Sequence, residues 1–120
     1  MDRHDPKAEG KRIEDALSRS VSELATLRAR MQPRLPESEL RIFDGQRMVL
    51  EDKEFVGRIG DNIAKGDTAE RALLRVIEEL SASMLAVADN YLRERATDFR
   101  DVGHRVLRHL RQKEKRGPIQ

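Results

Sequence analysis

Residues 91–110 read YLRERATDFRDVGHRVLRHL. Leu92, Phe99, Val102, Val106 and Leu110 recur at steps of three, four or seven, the spacing that lines up one stripe of an α-helix. Five arginines, at 93, 95, 100, 105 and 108, share the segment with Glu94, Asp98 and Asp101. Three uses for them are open: gripping nucleic acid, holding the chain's own fold, or meeting another protein. Helical spacing predicts surface pairs such as Asp101 with Arg105 at i,i+4, and exposed pairs of this kind contribute only a few tenths of a kcal/mol. Gly103 lies inside the predicted helix over 91–112, at a cost of about 1 kcal/mol relative to alanine unless another helix packs close there.

Working back from this segment, the same periodicity recurs. Ile13, Leu17, Val21, Leu24, Leu27 and Met31 predict a long amphipathic helix from Lys7 to Met31. Pro33 and Pro36 end it, because proline lacks the amide donor and disfavours helix in the residue before it. A second pattern starts at Glu37 with Leu40, Phe43, Met48, Val49 and Leu50. Asp52 then offers an N-cap for a shorter helix with Phe55, Val56, Ile59 and Ile63, so a break is expected at 51–53. Gly66 closes this pair, and Asp67 with Glu70 three residues on resembles a capping arrangement for a helix carrying Ala69, Leu73, Val76, Leu80, Met84 and Val87. Short connections make neighbours antiparallel. The expected fold is all-α: an antiparallel helical bundle of four main helices, the second broken into two, over residues 1–112. Residues 113–120, KEKRGPIQ, read as a polar tail or the start of a linker.

Composition agrees with helices, since 38% of the 120 residues are apolar, another 38% are charged and only 3% are aromatic. Lysine and arginine number 24 against 22 acidic residues, so the pI near 9.2 reflects a small excess. A dedicated nucleic-acid binder usually carries more positive charge. There is no cysteine, which excludes a disulfide framework and thiolate chemistry. No apolar run approaches the roughly 20 residues of a membrane span, and the N-terminus MDRHDPKAEGKR has no signal-peptide core. These features predict a soluble chain with no membrane partner; the absence of cysteine fits a cytoplasmic location and other locations as well.

Few residues suggest chemistry. Asp98, Asp101 and His104 share a helix flank at metal-ligand types, but no second cluster completes a ligand set. His4, His104 and His109 lie beside no identifiable nucleophile, and Gly57, Gly60 and Gly66 are too scattered for a phosphate loop. The basic run Arg105, Arg108, Arg111, Lys113, Lys115 and Arg116 complements the dipole at a helix C-terminus as readily as it contacts phosphates.

Two motifs carry a resemblance. IFDGQRMVLEDKEF at 42–55 and YLRERATDFRDVGHRVLRHL at 91–110, in order and at similar spacing, resemble the helical subdomain near the N-terminus of enzyme I of the phosphoenolpyruvate-dependent phosphotransferase system. The resemblance covers about residues 9–110. It implies a module that docks HPr, or its nitrogen-branch relative, beside a separate α/β subdomain bearing the phosphorylated histidine. That subdomain's histidine motif does not occur in this sequence, nor does the barrel domain that binds phosphoenolpyruvate and magnesium and makes the parent enzyme a homodimer. No cofactor, catalytic residue or metal ligand is therefore expected here, and no nucleic-acid partner.

Carried over by motif position, the docking surface implied by the resemblance falls on Met48, Val49, Glu54, Phe55, Met84, Val87, Leu92 and Arg95. Arg95 has an intramolecular alternative, a pair beside Glu94 or with Asp98 at i+3; Met48, Met84 and Phe55 have the alternative of ordinary core. Lys53 and Gln46 depart from the family pattern, and with residues 88–90 they leave less negative charge for a basic partner. Two other readings stay open: a free-standing basic helical module that binds nucleic acid, and a structural bundle that self-associates.

Overall fold

The computed structural model describes residues 5–116, with side chains through Gln112. Five α-helices and no strand make up these residues: α1 Pro6–Met31, α2 Glu37–Leu50, α3 Lys53–Ala64, α4 Ala69–Leu85 and α5 Asn90–Arg116. The break expected at 51–53 falls between α2 and α3. The two are nevertheless separate helices and not one bent helix of four, because they pack on different neighbours: α2 lies on α1 and α5, whereas α3 lies on α4 and, to a lesser extent, α1. The backbone of 113–116 continues α5, and the expectation of a polar tail at 117–120 lies outside the described residues.

Each boundary has a local cause. Asp5 accepts from the amides of Lys7 and Ala8, with Pro6 in the first turn, where its missing N–H is not needed. Asp52 caps α3 by accepting from the Phe55 amide at 3.0 Å. Asp89 does the same for Leu92 at 3.1 Å. Gly66, at φ +121°, supplies the left-handed turn after α3. The cap of α4 is Thr68, whose hydroxyl accepts from the Arg71 amide at 3.2 Å, and not the expected Asp67. Asp67 instead accepts from the Arg75 guanidinium at 3.0 Å, while Glu70 is drawn across to Arg12 of α1.

The core gathers Leu24, Phe55, Leu73, Val76, Phe99, Val102, Val106 and Leu110, all at most 2% exposed. Helix α5 is its spine, packed along α4 and against α1 and α2. Gly103 is where α4 comes close: a Cβ there would stand 3.1 Å from Ile77 Cγ1, so the glycine's helix cost is offset by the approach it permits. Two buried hydroxyls, Ser20 and Ser81, donate to the carbonyls of Ala16 and Ile77 one turn back and leave no unmet polar group.

Charged side chains tie the helices together at intervals. Arg12 forks onto Glu70 at 3.0 and 2.6 Å, and Glu9 accepts from the Ala69 amide, so the start of α1 is clamped to the start of α4. Arg28 reaches Asp44 at 2.8 Å, joining α1 to α2. The arginines of α5 were expected to pair along their own helix; in place of Asp101, Arg105 donates to Glu23 of α1 at 2.9 Å and to Gln46 of α2 at 3.1 Å. Arg108 and His109 converge on the same Glu23 carboxylate at 3.0 Å each. Partial burial disfavours the Glu23 charge, but hydrogen bonds from Arg108, His109 and Arg105 outweigh it and pull the carboxyl down to about 2.

Because the folded value lies below the ordinary 4.5, ionised Glu23 contributes stability that is complete above that pH and falls away as the pH drops toward about 2. Glu23→Gln should cost about 1–2 kcal/mol at neutral pH, with urea unfolding as the measure. The gap between variant and wild type should close over that acid window. A gap independent of pH would mean that the carboxylate's charge is not what holds α5 to α1.

Candidate functional site

One end of the bundle is built around a single carboxylate. Asp52 uses Oδ1 to cap α3, and its Oδ2 accepts from Arg95 of α5 at 3.3 Å. The Arg95 guanidinium also lies over the Phe99 ring, 5.5 Å from its centroid, and Phe99 meets Phe55 edge to face at 5.6 Å. Cap, ion pair, cation–π contact and ring pair thus form one chain of contacts from the α2–α3 junction to the start of α5. Arg95 is thus paired within the chain, as its intramolecular alternative expects, but with Asp52 and not beside Glu94 or with Asp98. Asp98 lies against Gly45, where burial and then the neighbouring Asp101 push its carboxyl above the ordinary range.

This latch brings the last turn of α2, the first of α3 and the α4–α5 connection to one end. Of seven large apolar side chains exposed among the described residues, five lie on these segments or the turns flanking them: Met48 at 56%, Val56 at 38%, Leu85 at 40%, Val87 at 50% and Tyr91 at 64%. Solvent-facing apolar surface concentrated at one end is what a transient protein interface needs. Glu54 is exposed at the rim and pairs with Arg58 at 3.1 Å; Arg58 continues to Glu79 of α4 at 3.5 Å.

The eight residues named from the sequence divide by burial. Met48, Glu54 and Val87 are exposed, whereas Leu92 and Met84 are half-buried, Met84 against the core. Val49 is a correction, since it is 0% exposed on the inward stripe of its helix; Phe55, also 0% exposed, takes the core alternative, and neither has surface to offer a partner. The Arg95 side chain is only 18% exposed and is already engaged by Asp52. Leu85 and Tyr91 were missed as surface residues. Their signal was an apolar side chain one position off the inward stripe, Leu85 after Met84 and Tyr91 before Leu92.

Among the described residues no three His, Asp or Glu side chains gather to hold a metal ion. No helix there is long and apolar enough to cross a membrane.

An all-helical module with a latched end and exposed apolar side chains is the class that the fold defines. The family of PEP-utilising enzymes, N-terminal, matches residues 1–95, and the chain belongs to it. It is 39% identical over 108 residues to the phosphoenolpyruvate-protein phosphotransferase of Enterococcus faecalis, covering 88% of this chain and 19% of that relative. To the phosphoenolpyruvate-dependent phosphotransferase system protein of Escherichia coli K12 it is 34% identical over 106 residues, covering 88% of this chain and 14% of that one. The chain therefore spans about a fifth or less of these relatives' length. Among solved structures, the "N-terminal domain of Enzyme 1 - Nitrogen" superposes with a TM-score of 0.85 at 32% identity, over 94% of this chain and 48% of that one. A solution NMR structure of an enzyme I protein, nEIt, gives 0.85 at 28%, over 89% and 44%. The fold is that of the helical part of an enzyme I N-terminal domain.

The two oxygens of Asp52 can be tested separately. Asparagine caps a helix about as well as aspartate, so Asp52→Asn should leave the Phe55 amide protected from hydrogen exchange, while Asp52→Ala should lose about 1 kcal/mol of that protection. Equal exchange in both variants would show that the cap contributes nothing to α3.

Proposed function

We propose that this chain is the docking module of a phosphoenolpyruvate-dependent protein phosphotransferase of the enzyme I kind, and that it holds an HPr-like phosphocarrier while a histidine in a separate subdomain passes on its phosphoryl group. The observation that carries the reading is the concentration of exposed Met48, Leu85, Val87 and Tyr91 at the latched end, in a chain whose relatives are named phosphoenolpyruvate-protein phosphotransferases. Apolar side chains would form the centre of the contact and Glu54 its charged rim, while Val49, Phe55 and Arg95 support the surface from beneath.

On this reading the chain binds and orients the carrier and takes no phosphoryl group itself; the reaction belongs to the cytoplasmic parent enzyme. Incubation with phosphoenolpyruvate and magnesium should leave His104 and His109 unmodified.

Titration of the isolated chain with a cognate HPr-like carrier, followed by NMR residue by residue, tests the proposal. Shifts should cluster at residues 48, 54 and 84–92. Met48→Asp should weaken binding by about 1 kcal/mol or more with helical content unchanged, and Arg111→Glu at the far end of α5 should do little. Equal losses from both changes would replace the docking face with general charge attraction, and no shift at saturating carrier would remove the proposal.

A further inference from the structure

Where α2 packs on α5, a glycine meets a carboxylate. A Cβ on Gly45 would stand 2.7 Å from Asp98 Oδ2 and 3.2 Å from its Cγ, so the missing side chain is what lets Asp98 lie on the backbone of α2. That side of the carboxylate finds no donor, because Gly45 lies inside α2 and its amide is spent on the helix's own ladder. The other side looks onto an open groove of about 460 Å³ between the two helices, with Ser38 and Arg41 on α2 and Glu94, Thr97 and Asp101 on α5.

Asp98 is half-buried there, and no described residue donates a hydrogen bond to it. The charges around it do not balance. On α5, Glu94 precedes it by four positions and Asp101 follows by three, both on its own stripe, while Arg95, which favours its charge, is turned to Asp52 at 3.3 Å. On α2, Asp44 beside Gly45 is held by Arg28 of α1 at 2.8 Å. Arg41 is exposed and makes no ion pair with another described residue. Burial, and after it Asp101, raises the Asp98 carboxyl above the ordinary 3.8.

We propose that the contact between Gly45 and Asp98 is an acid-sensitive seam: α2 seats most firmly on α5 when Asp98 is protonated, and the charge on Asp98 loosens that seat. The sign is the reverse of that at Glu23. A carboxyl whose folded value lies above the ordinary one adds stability that is complete below pH 3.8 and is lost as the pH rises through the folded value, so at neutral pH the ionised group holds the two helices less tightly. Helix α2 also carries the exposed Met48, and the seam sets how firmly that side of the docking end is held.

An NMR titration of the full chain that follows the Asp98 carboxyl carbon reads the group directly; its midpoint should lie above 3.8 and fall in Asp101→Asn. Asp98→Asn keeps the shape without the charge. It should raise the folded-to-unfolded ratio in urea at neutral pH by about threefold or more, and slow hydrogen exchange of the α2 amides around Gly45. Both differences from wild type should vanish as the pH falls below 3.8, where wild type is neutral as well. Gly45→Ala should turn the carboxylate out to solvent and return its midpoint to the ordinary range, since the methyl group would take its place. An Asp98 midpoint at or below 3.8 in wild type overturns the proposal, because a cation such as Arg41 would then be pairing with it. So does an Asp98→Asn variant that is no more stable than wild type at neutral pH, one whose advantage is the same at every pH, or one that leaves α2 exchange unchanged.

Discussion

The carboxylate of Asp52 is the point on which the arrangement of this bundle turns. With one oxygen it starts α3, and with the other it holds Arg95, whose guanidinium lies over the ring that packs against Phe55. The sequence interrupts the helical pattern after Leu50, and an interruption alone would leave the direction of α3 loosely specified. A half-buried ion pair joined to a cap and two ring contacts fixes it, since losing either charge would leave the other partly desolvated and unpaired. The α2–α3 junction, with Met48 before it and Glu54 after it, is held against α5 by that fixation.

A second cluster does similar work along the bundle. Glu23 gathers Arg105, Arg108 and His109, and Arg105 spends a further donor on the buried Gln46, so α1, α2 and α5 meet at one set of charges. The arginines of residues 91–110 therefore divide. Arg95, Arg105 and Arg108 hold the fold, and Arg93 and Arg100 remain on the exposed surface of α5. A chain rich in charge and poor in aromatic residues has gained its helix-to-helix specificity from ion pairs that reach between elements, over a core of ordinary aliphatic packing.

Much of this was legible beforehand. The apolar stripes, the proline stop after α1, the cap at Asp52 and the close approach at Gly103 are local signals, each set by neighbours within a turn or two. Ion-pair partners were not legible, because Arg105 finds Glu23 across 82 residues and helical spacing offers it Asp101 only four residues away. The cap of α4 was misplaced by one residue, since Asp67 and Thr68 are both good capping types and only the pull of Arg75 on Asp67 decides between them. Of the docking residues, Val49 was assigned to the surface and Phe55 left between surface and core, because motif position does not report burial. The inward stripes that contain them do, and Leu85 and Tyr91, lying just off such stripes, were the surface residues to find.

Arg95 acts through Asp52 and not as an independent surface charge. A double-mutant cycle on folding stability, with Asp52→Asn, Arg95→Gln and both together, isolates that pairing while the α3 cap is preserved. The expected coupling is about 1 kcal/mol or more, in keeping with a charge-assisted bond that is largely shielded from water. Effects that add to within a few tenths of a kcal/mol would contradict it, and would return Arg95 to the solvent-facing charges of α5.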